Sequence, residues 1–129
     1  MILVDTSILI GWLRDEQSEK VSFLQKTQNP EEILIADVVL LEMLQGARDD
    51  IHAAKIQRLL SRFENVELLN WDIAVKAARN FRLLRNLGIT IRKANDLIIG
   101  TFCIEHGHLL LHNDRDFLPM VQHLGLQEL

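Results

Sequence analysis

The chain is poor in the residues that staple, stiffen or stack: one cysteine, two prolines, six glycines, no tyrosine, and only 5% aromatic residues among 129 positions. A lone cysteine excludes an internal disulfide framework and fits a reducing compartment. Cys103 lies in an apolar stretch, where a buried, inert thiol is the ordinary outcome. No Pro/Gly-rich linker, low-complexity tract or repeat divides the sequence, so a single domain over residues 1–129 is expected. No apolar run reaches the roughly 18 residues of a membrane span. Nor does a basic N-terminal region lead into a signal-type core, which makes the cytoplasm the expected location, without membrane association. The shortage of aromatics leaves no visible platform for stacking single-stranded bases, and Trp12 and Trp71 fit a core or interface better.

What is present is apolar content arranged in short blocks. Hydrophobic residues make up 48% of the chain, and a domain of this length buries roughly two-thirds of its unfolded surface. Met1–Val4, Ile33–Ala36, Val66–Leu69 and Leu109–Leu111 read as strands, each followed or preceded by a segment of helical period. Thr6 or Ser7 can cap the helix that begins at Ile8, Ser18 can start a second, and Asp37 can cap a third that ends near Gly46. A further amphipathic helix covers about Ile51 to Phe63. Asp72 opens the next, which Gly88 ends, and Asn95–Ile104 is nearly all apolar after its first two residues. Strands alternating with helices predict an α/β fold with a parallel sheet covered on both faces.

Net charge is −4, which by itself argues against a nucleic-acid partner. The charge is segregated, however. No acid occurs between Asp72 and Asp96, while Lys76, Arg79, Arg82, Arg85, Arg92 and Lys93 do, six of the 14 lysines and arginines. Arg79, Arg82 and Arg85 recur every third residue, a drifting stripe on a helix that serves equally well as a solvated face or a phosphate-binding one. Its position just ahead of Asp96 favours the second use.

Four acids stand at strand or helix ends. Asp5 follows the first strand, Asp114 follows the last, Asp96 opens the buried helix, and Glu42 is the only charge within Val38–Leu44. Strand ends and helix N-termini converge on one crevice in open α/β sheets. Gathered carboxylates raise one another's pKa unless a cation is present, and hard oxygen ligands suit Mg²⁺ or Mn²⁺. Asp96 also fits a plain helix-start role, since the dipole favours a carboxylate there. Cys103, His106, His108 and His112 cluster in sequence but lack the paired spacing of a zinc site.

Taken together, Val4-Asp5-Thr6-Ser7, the lone Glu42, Asp96 at a helix start and His112-Asn113-Asp114-Arg115-Asp116-Phe117 resemble the PIN-domain ribonucleases, and most closely the VapC-type toxins of bacterial toxin–antitoxin systems. The resemblance runs in order along the chain. It implies a three-layer α/β/α sandwich around a short parallel sheet of four or five strands. It also implies a Mg²⁺- or Mn²⁺-dependent endoribonuclease, held inactive by a VapB-like antitoxin. Asp5, Glu42, Asp96 and Asp114 match the family's acidic positions; Asp116 matches a further acid whose role varies, and Thr6 or Ser7 a hydroxyl near the metal. VapC-like proteins are commonly homodimers, and apolar residues on short helices such as Ile8–Leu13 leave room for an interface.

Phosphodiester hydrolysis needs an activated water and charge neutralisation at the phosphate, both of which a carboxylate-held metal supplies. The expected roles are Asp5 and Asp96 on the principal metal, Asp114 completing its shell or holding a second ion, and Glu42 orienting or deprotonating the attacking water. Thr6, Ser7, Asn113 and Asp116 stand just outside the direct ligands, and Arg79, Arg82, Arg85, Arg92 and Lys93 are the candidate RNA contacts. Three other classes compete. A phosphoacceptor receiver needs a lysine after the last strand, where Asn113-Asp114 stands, and a haloacid-dehalogenase-type phosphatase expects a second acid where Ser7 stands. A non-catalytic RNA- or protein-binding module has no need of all four acids.

Overall fold

Strand β1 (Ile2–Val4) is the hub of the architecture. In the computed structural model, which describes residues 1–129, it pairs in parallel with β2 (Ile33–Ala36) on one side and with β4 (Leu109–Leu111) on the other. β2 pairs in parallel with β3 (Glu64–Val66), giving the order β3-β2-β1-β4. Every residue of β2 is buried, as are Leu3, Val4, Leu110 and Leu111. Unbroken apolar strands of this kind are what a parallel sheet covered on both faces demands. A fifth strand is reduced to a single parallel bridge, Leu110 with Glu128, flanked by hydrogen bonds from Leu110 N to Gln127 O and from Leu129 N to Leu110 O.

Seven helices complete the chain: α1 (Thr6–Leu13), α2 (Glu19–Lys26), α3 (Asp37–Gln45), α4 (Asp50–Leu60), α5 (Trp71–Asn86), α6 (Ala94–His106) and α7 (Leu118–Leu124). α1 packs on α2 and α3, and α3 on α4; α5 packs on α6 and α7. These two groups flank the sheet in the three-layer α/β/α arrangement. The core runs through all three layers and includes Ile8, Leu9, Ile35, Leu60, Ile73, Leu84, Ile99 and Phe117.

Four local expectations are corrected. The third strand lies at Glu64–Val66, not Val66–Leu69, because it is an exposed edge with no apolar run to mark it; Leu68, fully buried, is a core anchor beyond its end. Asp5, not Thr6 or Ser7, caps α1, its Oδ2 accepting the Ser7 N–H at 3.1 Å. Asp37 is the first residue of α3 rather than its cap; its carboxylate accepts the N–H groups of Val38 (2.8 Å) and Leu68 (3.2 Å), tying α3 to the chain after β3. Asn70 caps α5 through Ile73 N, ahead of Asp72. Trp12 packs edge-on against Phe63, as a core role predicts, whereas Trp71 is 88% exposed and no part of the core.

Candidate active site

The chain steps from β1 to β2 and β3 on one side, then returns to place β4 on the other side of β1. The crevice outside the carboxyl ends of β1 and β4 is thus the switch point of the sheet. Asp5 leaves β1 there, its N–H held by Leu111 O at 3.0 Å, and Asp114 follows β4 by three residues. Asp114 caps the 3-10 turn Arg115–Phe117, its Oδ1 accepting Asp116 N at 2.9 Å. α6 delivers Asp96 in its first turn, where the dipole favours negative charge. Glu42 comes from α3 and receives a 2.9 Å hydrogen bond from Asn95 Nδ2 to its Oε1.

Carboxylate oxygens of Asp96, Asp114 and Asp116 lie within 4.8 Å of one another. Asp5 and Asp96 are each only 4% exposed. Burial, reinforced by the charge of Asp5 and then of Asp114 and Glu42, pushes Asp96 up to about 7, with Lys93 opposing. Asp5 is raised by burial and by Glu42 but held back by the hydroxyl and N–H of Ser7. For Asp114 burial is outweighed by the Asp116 N–H and by Lys93, so its carboxyl lies below the usual range. Lys93 Nζ sits 3.3 Å from Asp114 and 3.7 Å from Asp116, and the hydrogen bond to Asp114 with the charge of Asp96 raises its pKa. The site is a knot of negative charge with one lysine at its rim.

Whether a hard cation fits can be judged from the donors themselves. Asp96 Oδ2 is buried with no hydrogen-bond partner, as is Thr6 Oγ1. An orphaned oxygen on a buried carboxylate that neighbours other carboxylates is a costly arrangement that a divalent cation would relieve. The all-oxygen donor set suits Mg²⁺ or Mn²⁺.

Of the residues singled out in the sequence, Asp96, Asp114 and Asp116 form the tight cluster, so Asp116 reaches further in than its expected outer place. Asp5 is engaged by Ser7, whose Oγ donates to Asp5 Oδ2 at 2.7 Å and accepts Asn113 N at 3.0 Å, joining the two strand ends through one hydroxyl. Asn113 thereby contributes its backbone. Arg79, Arg82 and Arg85 are exposed on α5 and pair with no carboxylate, although Arg85 lies over the Phe81 ring; Arg92 is exposed as well. Lys76 is occupied by Asp72 and Glu105 at 3.1 and 3.0 Å. His106 and His108 stack near Phe102, burial pushes the Cys103 thiol up to about 12, and His112 belongs to the acidic loop. Two residues escaped the sequence reading. Asn95, whose only signal is its place before Asp96, orients Glu42; His112, which opens the motif after the last strand, contacts Asp114 N.

Fold and site together define an α/β/α domain with a carboxylate centre suited to a divalent cation at its sheet's switch point. The PIN-domain family model matches residues 2–120, and the chain belongs to that family. Among curated relatives, Ribonuclease VapC11 of Mycobacterium tuberculosis is 32% identical over 132 residues, covering 98% of this chain and 96% of the relative. Among solved structures, VapBC2 from Rickettsia felis bound to a promoter DNA fragment aligns with TM-score 0.79 at 20% identity over 100% of this chain and 98% of that one. A toxin–antitoxin complex from Klebsiella pneumoniae aligns with TM-score 0.67 at 25% identity, covering 91% of this chain and 90% of that one. Within the PIN family the chain belongs with the VapC ribonucleases.

Proposed function

We propose that the chain is the toxin of a VapBC-like toxin–antitoxin module, an endoribonuclease that hydrolyses RNA phosphodiester bonds with Mg²⁺ or Mn²⁺. The observation that carries this reading is the Asp96 carboxylate: buried, unpartnered at Oδ2, raised to about 7 and clustered with Asp114 and Asp116. Asp96, Asp114 and Asp116, with Asp5 beside them, would hold the cation, which when bound lowers the pKa of the attacking water and neutralises charge on the phosphate. Asn95 fixes Glu42 through Oε1, leaving Oε2 to accept a proton from that water. Lys93, at the rim, offers a cation to the phosphate. The free arginines of α5 give an otherwise acidic molecule a basic face along which RNA can lie.

Two protein partners complete the proposal. A groove of about 420 Å³ lined by Ile10, Leu13, Arg14, Met43 and Ile56 reaches Glu42, and its apolar floor with cationic flanks suits a segment of a VapB-like antitoxin. The Rickettsia felis and Klebsiella pneumoniae proteins of similar fold were solved as VapBC and toxin–antitoxin complexes, which supports an antitoxin as partner. Leu41, Leu69, Trp71 and Val75, each more than half exposed, offer a surface for a homodimer. No helix is long and apolar enough to cross a membrane, and we place the protein in the cytoplasm, where Cys103 would stay reduced. Purified chain is expected to cleave RNA with Mg²⁺ or Mn²⁺, to stop in chelator, and to respond poorly to Ca²⁺, whose coordination is larger and looser. Cleavage at an undiminished rate in chelator would refute the mechanism.

A further inference from the structure

The loop that carries Asp114 and Asp116 is held by groups that the hydrolysis itself does not use. His112, 3% exposed at the end of β4, places Nε2 at 2.6 Å from Glu128 Oε2 and Nδ1 at 3.2 Å from Asp114 N. An ionised carboxylate can only accept, so Nε2 carries the ring proton and Nδ1 is left as the acceptor that the Asp114 N–H requires. Glu128 therefore selects the tautomer that the loop needs. It is brought there by the C-terminal segment, whose bridge with Leu110 runs it alongside β4. The ring packs against Phe117 at 4.9 Å between centroids, and the Lys20 ammonium donates to the His112 carbonyl.

We propose that His112 is a positioning residue for the cation site, and that Glu128 acts through it, so that docking of the C-terminal segment sets the geometry of the Asp114–Asp116 loop. The inference rests on the reading that Asp114 and Asp116 ligate the cation. Asp114 Oδ1 accepts Asp116 N, so the Asp114 carboxylate is tied to the backbone that carries Asp116. Nδ1 of His112 accepts the Asp114 N–H and so holds that backbone, as Ser7 Oγ holds Asn113 N next to it. Without Nδ1 the part-buried Asp114 N–H loses its partner and the loop loses its register with Asp96. Groups that hydrogen-bond to metal ligands typically affect metal affinity 10–100-fold.

The test is calorimetric titration of Mn²⁺ into the metal-free protein, with circular dichroism to establish that each variant is folded. Glu128→Ala is expected to weaken Mn²⁺ binding about tenfold and His112→Ala by about 10–100-fold. His112→Asn, whose Oδ1 can stand where Nδ1 stood, is expected to recover part of the loss. Nitrogen-15 spectra should show the Nε2–H tautomer in the wild type, and faster exchange of the Asp114 amide in Glu128→Ala. Asp114→Asn is the control for the ligand assignment. Wild-type Mn²⁺ affinity in folded Glu128→Ala and His112→Ala, with affinity lost in Asp114→Asn, would overturn the positioning role alone. Wild-type affinity in Asp114→Asn as well would overturn the ligand assignment and this inference with it. Should His112→Ala fail to fold, Glu128→Ala decides, because its side chain is 37% exposed.

Discussion

At the scale of single residues, Asp96 ties stability to chemistry. Its ordinary value is 3.8 and burial beside Asp5 lifts it to about 7, so between these limits the folded protein keeps a proton that the unfolded chain has released. A raised folded-state pKa means that the stability contributed by the protonated group is fully present below 3.8 and is lost as pH rises through about 7. A bound cation needs the ionised form, so binding below about 7 must displace that proton. Mn²⁺ affinity is accordingly expected to fall by up to about tenfold per pH unit as pH drops below 7, measured by calorimetry in buffers of different ionisation enthalpy to count the proton. Asp96→Asn removes the buried charge while keeping its size. It is expected to melt higher than the metal-free wild type at about pH 8, by several degrees, and to lose about 10²-fold or more in cleavage rate. A variant with the wild-type rate, or a Mn²⁺ affinity flat across this range, would show that Asp96 is not a ligand.

At the scale of elements, α5 separates substrate binding from catalysis. Its inner face of Ile73, Ala77 and Leu84 is buried, and its outer face carries Arg79, Arg82 and Arg85 free of carboxylate partners. Changing the three arginines to Gln is expected to weaken RNA binding and flatten its dependence on salt, because fewer counterions are released, while leaving Mn²⁺ binding intact. At saturating RNA the cleavage step should change far less than in Asp96→Asn, since remote phosphate contacts are made in ground and transition states alike. Titrating labelled RNA against an Asp5→Asn background at several salt concentrations checks this, and an unchanged slope would return the stripe to a solvated helix face. The same elements show where sequence is informative. β1, β2, β4 and the middle of α6 were legible because they are largely buried and mostly apolar. β3 and the C-terminal bridge were not, because an edge strand with Glu64 and Asn65 exposed and a bridge of one residue leave no periodic trace. The acids were legible by their places at element ends. Asn95 and His112 were not, since their roles are hydrogen bonds to partners 53 and 16 residues away, Glu42 and Glu128.

At the scale of the whole molecule, the active crevice and the groove meet at Glu42, one residue that faces the acid cluster and lines the passage between α1, α3 and α4. A partner laid in that groove would thus reach Glu42, the proton acceptor proposed above, without unfolding any element. The groove continues past Leu13, Arg48 and His52 to Ile51, which is 84% exposed, and to Lys55, so its apolar floor is longer than the part beside Glu42. Leu13 is 36% exposed at the junction of the two stretches. Leu13→Glu places a charge on the floor of the groove without disturbing the buried Ile8 and Leu9 of the same helix. Free Leu13→Glu protein is expected to cleave RNA at the wild-type rate and to bind the cognate antitoxin about thirtyfold more weakly, the scale of losing an interface anchor, about 2 kcal/mol. Cleavage assays with increasing antitoxin check both halves. An inhibition curve superimposable on that of the wild type would place the antitoxin on another surface, and a loss of cleavage by the free protein would make the groove part of the substrate path.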